Sequence, residues 1–294
     1  MLGLLLINKP EGITSFGVVA RIKKLAGEKR VGHTGTLDPM ATGVLPIFIG
    51  RATVLSQHLI DADKSYSATV KLGVATDSCD ITGNVISQSE VNVTDNDVDV
   101  VLKSFLGKQM QIPPMHSAIK QNGVRMYELA RRGESVDIPA REIQVFKLNK
   151  TSNLNNNNEF NVECTVSKGT YIRSLCRDIG EKLGCGATLT SLCRTNTAGF
   201  DIDKCVNLED LTPENISNYI VPCDIAVDYM PKISVSEKQA IRFCNGGQLS
   251  LDRIKYTEFG DNTIYRVYFG ERFLGLGLAD TKEGLLKIEC LVDR

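Results

Sequence analysis

No segment of the 294-residue sequence is apolar for long enough to cross a bilayer. The opening Met1-Leu2-Gly3-Leu4-Leu5-Leu6-Ile7 also lacks the basic flank and small-residue cleavage site of a signal peptide, and it is expected to be a strand. Histidine is scarce. His33, His58 and His116 are all there are, too scattered to suggest a metal site. The nine cysteines, spread from Cys79 to Cys290, contain no Cys-x-x-Cys pair, which excludes a zinc ribbon and points to reduced thiols rather than a disulfide framework. A Gly-x-x-x-x-Gly-Lys-Ser/Thr loop is missing and no acidic cluster suits magnesium, which counts against phosphoryl transfer. The acidic turn from Ala75 to Gly83 lacks the spacing and distal glutamate of a calcium loop. No internal repeat is evident.

What is there is ordinary globular composition, 42% apolar and 23% charged, with length enough for one large and one small domain. The formal net charge of -1 conceals an uneven distribution. Residues 1–60 carry Lys9, Arg21, Lys23, Lys24, Lys29, Arg30 and Arg51 against Glu11, Glu28 and Asp38, whereas residues 201–230 carry Lys204 against seven carboxylates. Such asymmetry permits a positive face on a neutral protein, and with it a polyanionic partner.

One stretch concentrates chemistry: Gly32-His33-Thr34-Gly35-Thr36-Leu37-Asp38-Pro39-Met40-Ala41-Thr42-Gly43. Its glycines open backbone geometries closed to other residues, and Pro39 keeps Asp38 out of the helical region. Asp38 is thereby presented on a loop and, with a reference pKa of ~3.9, is expected to be ionised at neutral pH. A solvated turn is the alternative reading of these residue types.

Around this loop the periodicities alternate. Thr14 or Ser15 caps a helix with Val18, Val19, Ile22 and Leu25 inward and Gly27 as its stop, and its other face carries Arg21, Lys23 and Lys24. Val44 to Ile49 reads as a buried strand, Thr53 to Ile60 as a short helix, and Ser65 to Leu72 as a strand with Tyr66, Ala68, Val70 and Leu72 on one face. A helix follows Thr94, then a breaker-rich basic excursion around Ile112 to Gly123 with a short helix Met126 to Arg132. Ile143 to Leu148 and Phe160 to Ser167 form a hairpin, and Lys168-Gly169-Thr170-Tyr171-Ile172-Arg173-Ser174-Leu175 opens a helix ended by Gly184. In Thr190-Ser191-Leu192-Cys193-Arg194-Thr195 the chemistry alone makes Leu192 core and Arg194 a surface cation. The acidic residues 201–230 read as a connection, and beyond them Ser236 caps a helix before three strands, Ile264 to Phe269, Phe273 to Leu278 and Leu285 to Val292.

The Gly32 to Gly43 loop closely resembles the catalytic loop of bacterial tRNA pseudouridine synthases of the TruB type. Lys9-Pro10, the Tyr66 strand with Lys64 before it, the Lys168 to Leu175 segment and the Leu192 strand resemble further anchors of that family in the same order. The resemblance implies an α+β fold: a large, mixed and mostly antiparallel sheet flanked by helices over residues 1–230, with a basic thumb-like insertion at about 108–142. It implies a small β-rich PUA-like RNA-binding domain over 231–294. It further implies isomerisation of the T-loop uridine at position 55 of tRNA, an intramolecular reaction with no cofactor and no metal.

Site roles follow from the same resemblance. Asp38 is the catalytic group and Arg173 its partner, Tyr66 stacks on the target base, Tyr171 contacts it, and Leu192 packs on the substrate. His33 takes the place of the flipped base in the RNA loop, while Lys9 and Lys168 contact phosphates. A T-arm stem-loop is the expected partner, and the enzyme a cytoplasmic monomer that binds no membrane. Flipping the uridine out costs roughly a few kcal/mol, which stacking of about 1–3 kcal/mol per base offsets. The rival reading is an RNA-binding module in which Asp38 is incidental.

Overall fold

A computed structural model describes residues 1–115, 120–121, 124–126 and 138–293. The rest of the basic insertion, including His116 and the body of the expected helix Met126 to Arg132, lies outside the described residues. The strands in chain order are β1 (Gly3–Lys9), β2 (Val31–His33), β3 (Thr42–Ile49), β4 (Lys64–Leu72), β5 (Val74–Thr76), β6 (Val85–Gln88) and β7 (Gly107–Gln111). The two-residue pair β8 (Lys120–Gln121) and β9 (Val124–Arg125) precedes β10 (Arg141–Lys150), β11 (Glu159–Val166), β12 (Ala187–Thr197), β13 (Phe200–Asp201) and β14 (Val206–Asn207). The last five are β15 (Lys232–Ser234), β16 (Leu249–Ser250), β17 (Thr263–Phe269), β18 (Arg272–Asp280) and β19 (Leu285–Leu291). The α-helices bounded among the described residues are α1 (Ser15–Ala26), α2 (Asp95–Lys103), α3 (Ile172–Lys182) and α4 (Glu237–Cys244).

The apolar run at the start of the chain has no alternation because β1 is covered on both faces. Leu5 and Ile7 pack with Val18, Val19 and Ile22 of α1, while Leu4 and Leu6 face Ala52, Leu55 and Val227. The strict alternation of β4 sends Tyr66, Ala68, Val70 and Leu72 into a separate core with Leu175 and Ile179 of α3 and Val98 and Leu102 of α2. Capping is as the sequence predicts: Thr14 Oγ1 accepts from Gly17 N at 2.9 Å, and Gly27 closes α1 in the left-handed region at φ +60°. Thr94 and Asp97 form a capping box on α2, as Ser236 and Gln239 do on α4. One short element differs in kind: the expected Thr53 to Ile60 helix is a 3₁₀ segment, Gly50–Leu59, which leaves β3 at a glycine with φ +69°.

These elements assemble into a ten-stranded sheet whose main path runs β14-β1-β3-β12-β4-β11-β10-β7, with β2 on β3 and β13 on β12. Only β1–β14 and β3–β12 are parallel, so the sheet is mixed and mostly antiparallel, as expected. A five-stranded sheet, β15-β17-β18-β19-β16, is drawn wholly from the C-terminal residues and has its own core around Phe243, Val267 and Leu286. The feature that shapes the site is the join between β3 and β12, which pair at only two positions, Cys193 with Thr42 and Arg194 with Gly43. The two strands therefore meet where the polar loop enters β3 and part beyond Gly43.

Candidate active site

The loop between β2 and β3 is fastened from several sides by backbone and buried side chains. Ser15, 1% exposed at the start of α1, accepts from Leu37 N at 2.8 Å and donates to Leu37 O at 3.1 Å. Gly12 N donates to Pro39 O at 2.8 Å, and Ala41 N returns to Asp38 O at 3.1 Å. Leu37, Met40 and Ala41 then anchor the loop in the core that also holds Tyr66 and Leu192. A polar loop with three buried apolar residues is a rigid mount, and Asp38 stands on it.

Arg173 reaches Asp38 from the first turn of α3, with Nη2 donating to Oδ1 at 3.2 Å and Nε 2.9 Å from Oδ2. The same guanidinium donates to Ser78 O at 3.2 Å, and its Nη1 lies 3.4 Å from Asp80 Oδ2. One buried cation thus serves two carboxylates of unlike access: the Asp38 side chain is 36% exposed and that of Asp80 is 5%. Asp80 is further tied by Ser78 Oγ at 2.8 Å and by Thr82 N at 3.0 Å. Burial raises the Asp38 carboxyl above its ordinary value, Arg173 pulls against that shift, and the Asp80 charge adds to it. Its surroundings make the charged form costly, and Arg173 offsets part of the cost.

Behind the loop lies a second buried cation. Arg194 is 1% exposed, its Nε donates to Val44 O at 2.8 Å and its Nη2 to Gly35 O at 3.0 Å. Tyr66, its partner in the β4–β12 register, hydrogen-bonds to it through the phenol, whose pKa burial raises and Arg194 tempers. Burial lowers the His33 pKa and the Arg194 charge lowers it further, which favours a neutral imidazole. His33 Nδ1 is buried with no hydrogen-bond partner among the described residues. Reading Arg194 as a surface cation was wrong. The usable signal was its i, i+2 relation to Leu192, which puts both on the inward face of β12.

The expected residues divide into those the fold gathers and those it does not. Asp38, Arg173, Tyr66 and Leu192 converge beside the β3–β12 join, Leu192 being 6% exposed with its carbonyl 3.5 Å from Thr42 Oγ1. Tyr171 caps α3 and is held by Gln111 at both ends of its peptide unit, its N donating to Oε1 at 2.8 Å and its carbonyl accepting from Nε2 at 3.1 Å. The Arg141 guanidinium lies 5.9 Å from the Tyr171 ring centroid. Lys168 is exposed at the rim and pairs with Asp61 at 2.7 Å.

Lys9 does not sit where a phosphate contact needs it. It is fully buried, and its ammonium donates to the carbonyls of Pro10 and Ile13, each at 2.8 Å, and of Pro39 at 3.2 Å. Three donors are matched by three carbonyls, so Lys9 ties the chain to the loop that carries Asp38. The acidic turn carries a similar lesson. Asp80 is the carboxylate that supports Arg173, whereas Asp77 in the same turn holds Asn84 through N at 2.9 Å and Nδ2 at 3.0 Å. Among the described residues no group of three or more His, Cys, Asp or Glu side chains is placed to hold a metal. No helix among them is long and apolar enough to cross a membrane.

Comparison with known proteins agrees with this arrangement. Residues 23–172 match the family model for the N-terminal domain of TruB family pseudouridylate synthases, and residues 173–228 match that for the tRNA pseudouridylate synthase B C-terminal domain. The boundary between the two falls inside α3, so both describe parts of one sheet. The tRNA pseudouridine synthase B of Clostridium novyi (strain NT) is 44% identical over 293 residues, covering 99% of this chain and 100% of its own. That of Alkaliphilus oremlandii (strain OhILAs) is 38% identical over 96% of this chain and 95% of its own. Among solved structures, a Cbf5-Nop10-Gar1 complex aligns with a TM-score of 0.74 and 26% identity, covering 99% of this chain and 85% of that one. The archaeal box H/ACA Nop10-Cbf5 complex aligns with a TM-score of 0.72 and 25% identity, covering 99% and 86%.

Proposed function

The chain belongs to the TruB family of pseudouridylate synthases, and from that membership we infer that it isomerises the T-loop uridine at position 55 of tRNA to pseudouridine. The reaction breaks the bond from N1 to C1′, turns the uracil and joins C5 to C1′. The C5 proton leaves to solvent and N1 gains one, so atoms and electrons balance without an external oxidant or reductant. Asp38 is the catalytic group, acting on the sugar as nucleophile or base.

The observation that supports this reading is the unequal access of the two carboxylates on Arg173. Asp80, 5% exposed and saturated with hydrogen bonds, holds the guanidinium, and Asp38, 36% exposed, faces the cleft with its oxygens oriented. Tyr66 and Leu192 flank that opening and would enclose a flipped uracil between an aromatic face and an aliphatic one. Tyr171, fixed through Gln111, contacts the base edge, and His33 fills the gap left in the RNA loop. Lys168 at the rim takes a phosphate in exchange for Asp61. The first 230 residues form the catalytic unit and residues 231–294 the PUA-like unit of a cytoplasmic monomer that recognises the T-arm stem-loop.

Nucleoside analysis of a tRNA transcript incubated with the protein tests the reading. One pseudouridine per transcript is expected, lost when uridine 55 is replaced by cytidine. A transcript that stays unmodified, or that is modified elsewhere, contradicts it.

A further inference from the structure

The α1 helix presents a surface that neither the fold nor the site uses. Ser15 to Ala26 contains no acidic residue, and with the turn that follows it carries Arg21, Lys23, Lys24, Lys29 and Arg30. Among the described residues none of these five is in an ion pair, and the nearby Glu28 is engaged by the N-terminal ammonium at 3.5 Å and by Arg30 N at 3.2 Å. At 3.6 residues per turn, Phe16, Ala20, Lys23, Lys24 and Gly27 fall on one side, away from the buried Val18, Val19 and Ile22. Phe16 is 73% exposed, more than any other large apolar side chain among the described residues. At the other end of the helix Ala20, Lys23, Lys24, Gly27, Glu28 and Lys29 line an open depression of about 510 Å³.

This face is continuous with the catalytic loop. Ser15, next to Phe16, is clasped to Leu37 through both its N and O, and Gly12 N bonds Pro39 O, so the first turn of α1 is fixed beside Asp38. The helix then runs ~18 Å away from the site at about 1.5 Å per residue. An aromatic at the cleft end and unpaired lysines farther out are what a single nucleic-acid strand requires: a stacking platform for one base and cations for successive phosphates.

We propose that the outward face of α1 is a docking track for the RNA strand adjoining the target uridine, with Phe16 stacking on an unpaired base and Lys23, Lys24 and Lys29 contacting phosphates. The proposal rests on the tRNA-modifying reading and adds to it a surface outside the residues around Asp38. It assigns Phe16 a contact function in place of mere exposure, and the lysines a role beyond complementing the negative end of the helix dipole.

The protein contains no tryptophan, so Phe16→Trp supplies a single fluorophore at the cleft end of the track. Titration with a T-arm stem-loop is expected to quench it with the midpoint of RNA binding. A triple variant, Lys23→Glu, Lys24→Glu and Lys29→Glu, is expected to melt with the native protein but to raise KM for tRNA ~tenfold or more with kcat within about twofold, since three lost phosphate contacts lower the salt slope by about 2. The corresponding triple Lys→Arg variant is expected to keep the native KM. An unquenched Trp, or a triple variant with native affinity and salt slope, overturns the proposal. So does a triple variant that loses affinity for acidic vesicles or an acidic protein while keeping it for tRNA. The affinity arm reads the surface whether or not turnover occurs, so an inactive native protein would count against the tRNA-modifying reading alone.

Discussion

Arg173 holds Asp38 across 135 residues of chain, Nη2 donating to Oδ1 at 3.2 Å while Nε stands 2.9 Å from Oδ2, and the same guanidinium closes on Asp80 at 3.4 Å. Replacing it by methionine leaves two carboxylates around one buried position without a cation. Removing one partner of a buried ion pair costs on the order of 3 kcal/mol, so Arg173→Met is expected to lower the urea-unfolding free energy by about that much. A loss below about 1 kcal/mol would show that Asp38 and Asp80 find other partners.

The direction of the Asp38 shift sets a pH dependence. Burial raises its folded pKa above the unfolded one, so its contribution to stability is fully present below the unfolded value and is lost as pH rises through the folded value. With Asp38 in its proposed role as nucleophile or base, which requires the ionised form, the acid limb of kcat/KM is expected to lie above the ordinary carboxylate value of ~3.9. A limb at or below that value contradicts the burial argument. By the same sign, Asp38→Asn is expected to melt no lower than the native protein at neutral pH.

Lys9 titrates in the opposite sense. Burial lowers it from 10.5 to about 8, so the folded chain carries fewer protons than the unfolded one between those values. Its ammonium is a cost below pH ~8 that is relieved as pH rises toward about 10.5. The difference in unfolding free energy between the native protein and Lys9→Met is therefore expected to grow across that window. A flat difference would place Lys9 in water.

Arg194 is expected to matter through position. Arg194→Met frees the carbonyls of Gly35 and Val44 and removes the partner of the Tyr66 phenol, at a cost of about 2 kcal/mol or more. Because the loop loses its register against β12, single-turnover rate is expected to fall by more than tRNA affinity does, with Arg194→Lys intermediate. Equal losses in rate and affinity would make Arg194 a general fold determinant.

Gly43 marks where β3 and β12 close on each other. Its φ is +101°, and a Cβ there would meet the Arg194 carbonyl oxygen at 2.2 Å. Gly43→Ala is expected to destabilise the protein by on the order of 3 kcal/mol and to abolish turnover, read by thermal unfolding and nucleoside analysis. A near-native variant would mean that the strands can part.

Most of the framework was legible in the sequence because local chemistry and burial agree there. Thr14, Gly27, Thr94 and Ser236 sit at helix ends, and the alternation from Tyr66 to Leu72 predicts the β4 face that forms the core. The motif segments were legible one by one, and the sheet brings them together by placing β12 between β3 and β4. What escaped was the environment of polar groups. Lys9 and Arg194 have the composition of surface residues, and only tertiary folding brings the carbonyls of Ile13, Pro39, Gly35 and Val44 to their cations. The choice of Asp80 over Asp77 likewise depends on where the turn places each carboxylate relative to Arg173, a relation separated by nearly a hundred residues of sequence.

The most direct test of the central claim is tritium release from a tRNA transcript labelled at uracil C5, comparing the native protein with Asp38→Asn while binding is measured in parallel. Release by the native protein, absent in Asp38→Asn although tRNA still binds, is the predicted result. Tritium release that persists in Asp38→Asn would contradict the assignment of Asp38, and release by neither protein despite tight binding would make the chain an RNA-binding module.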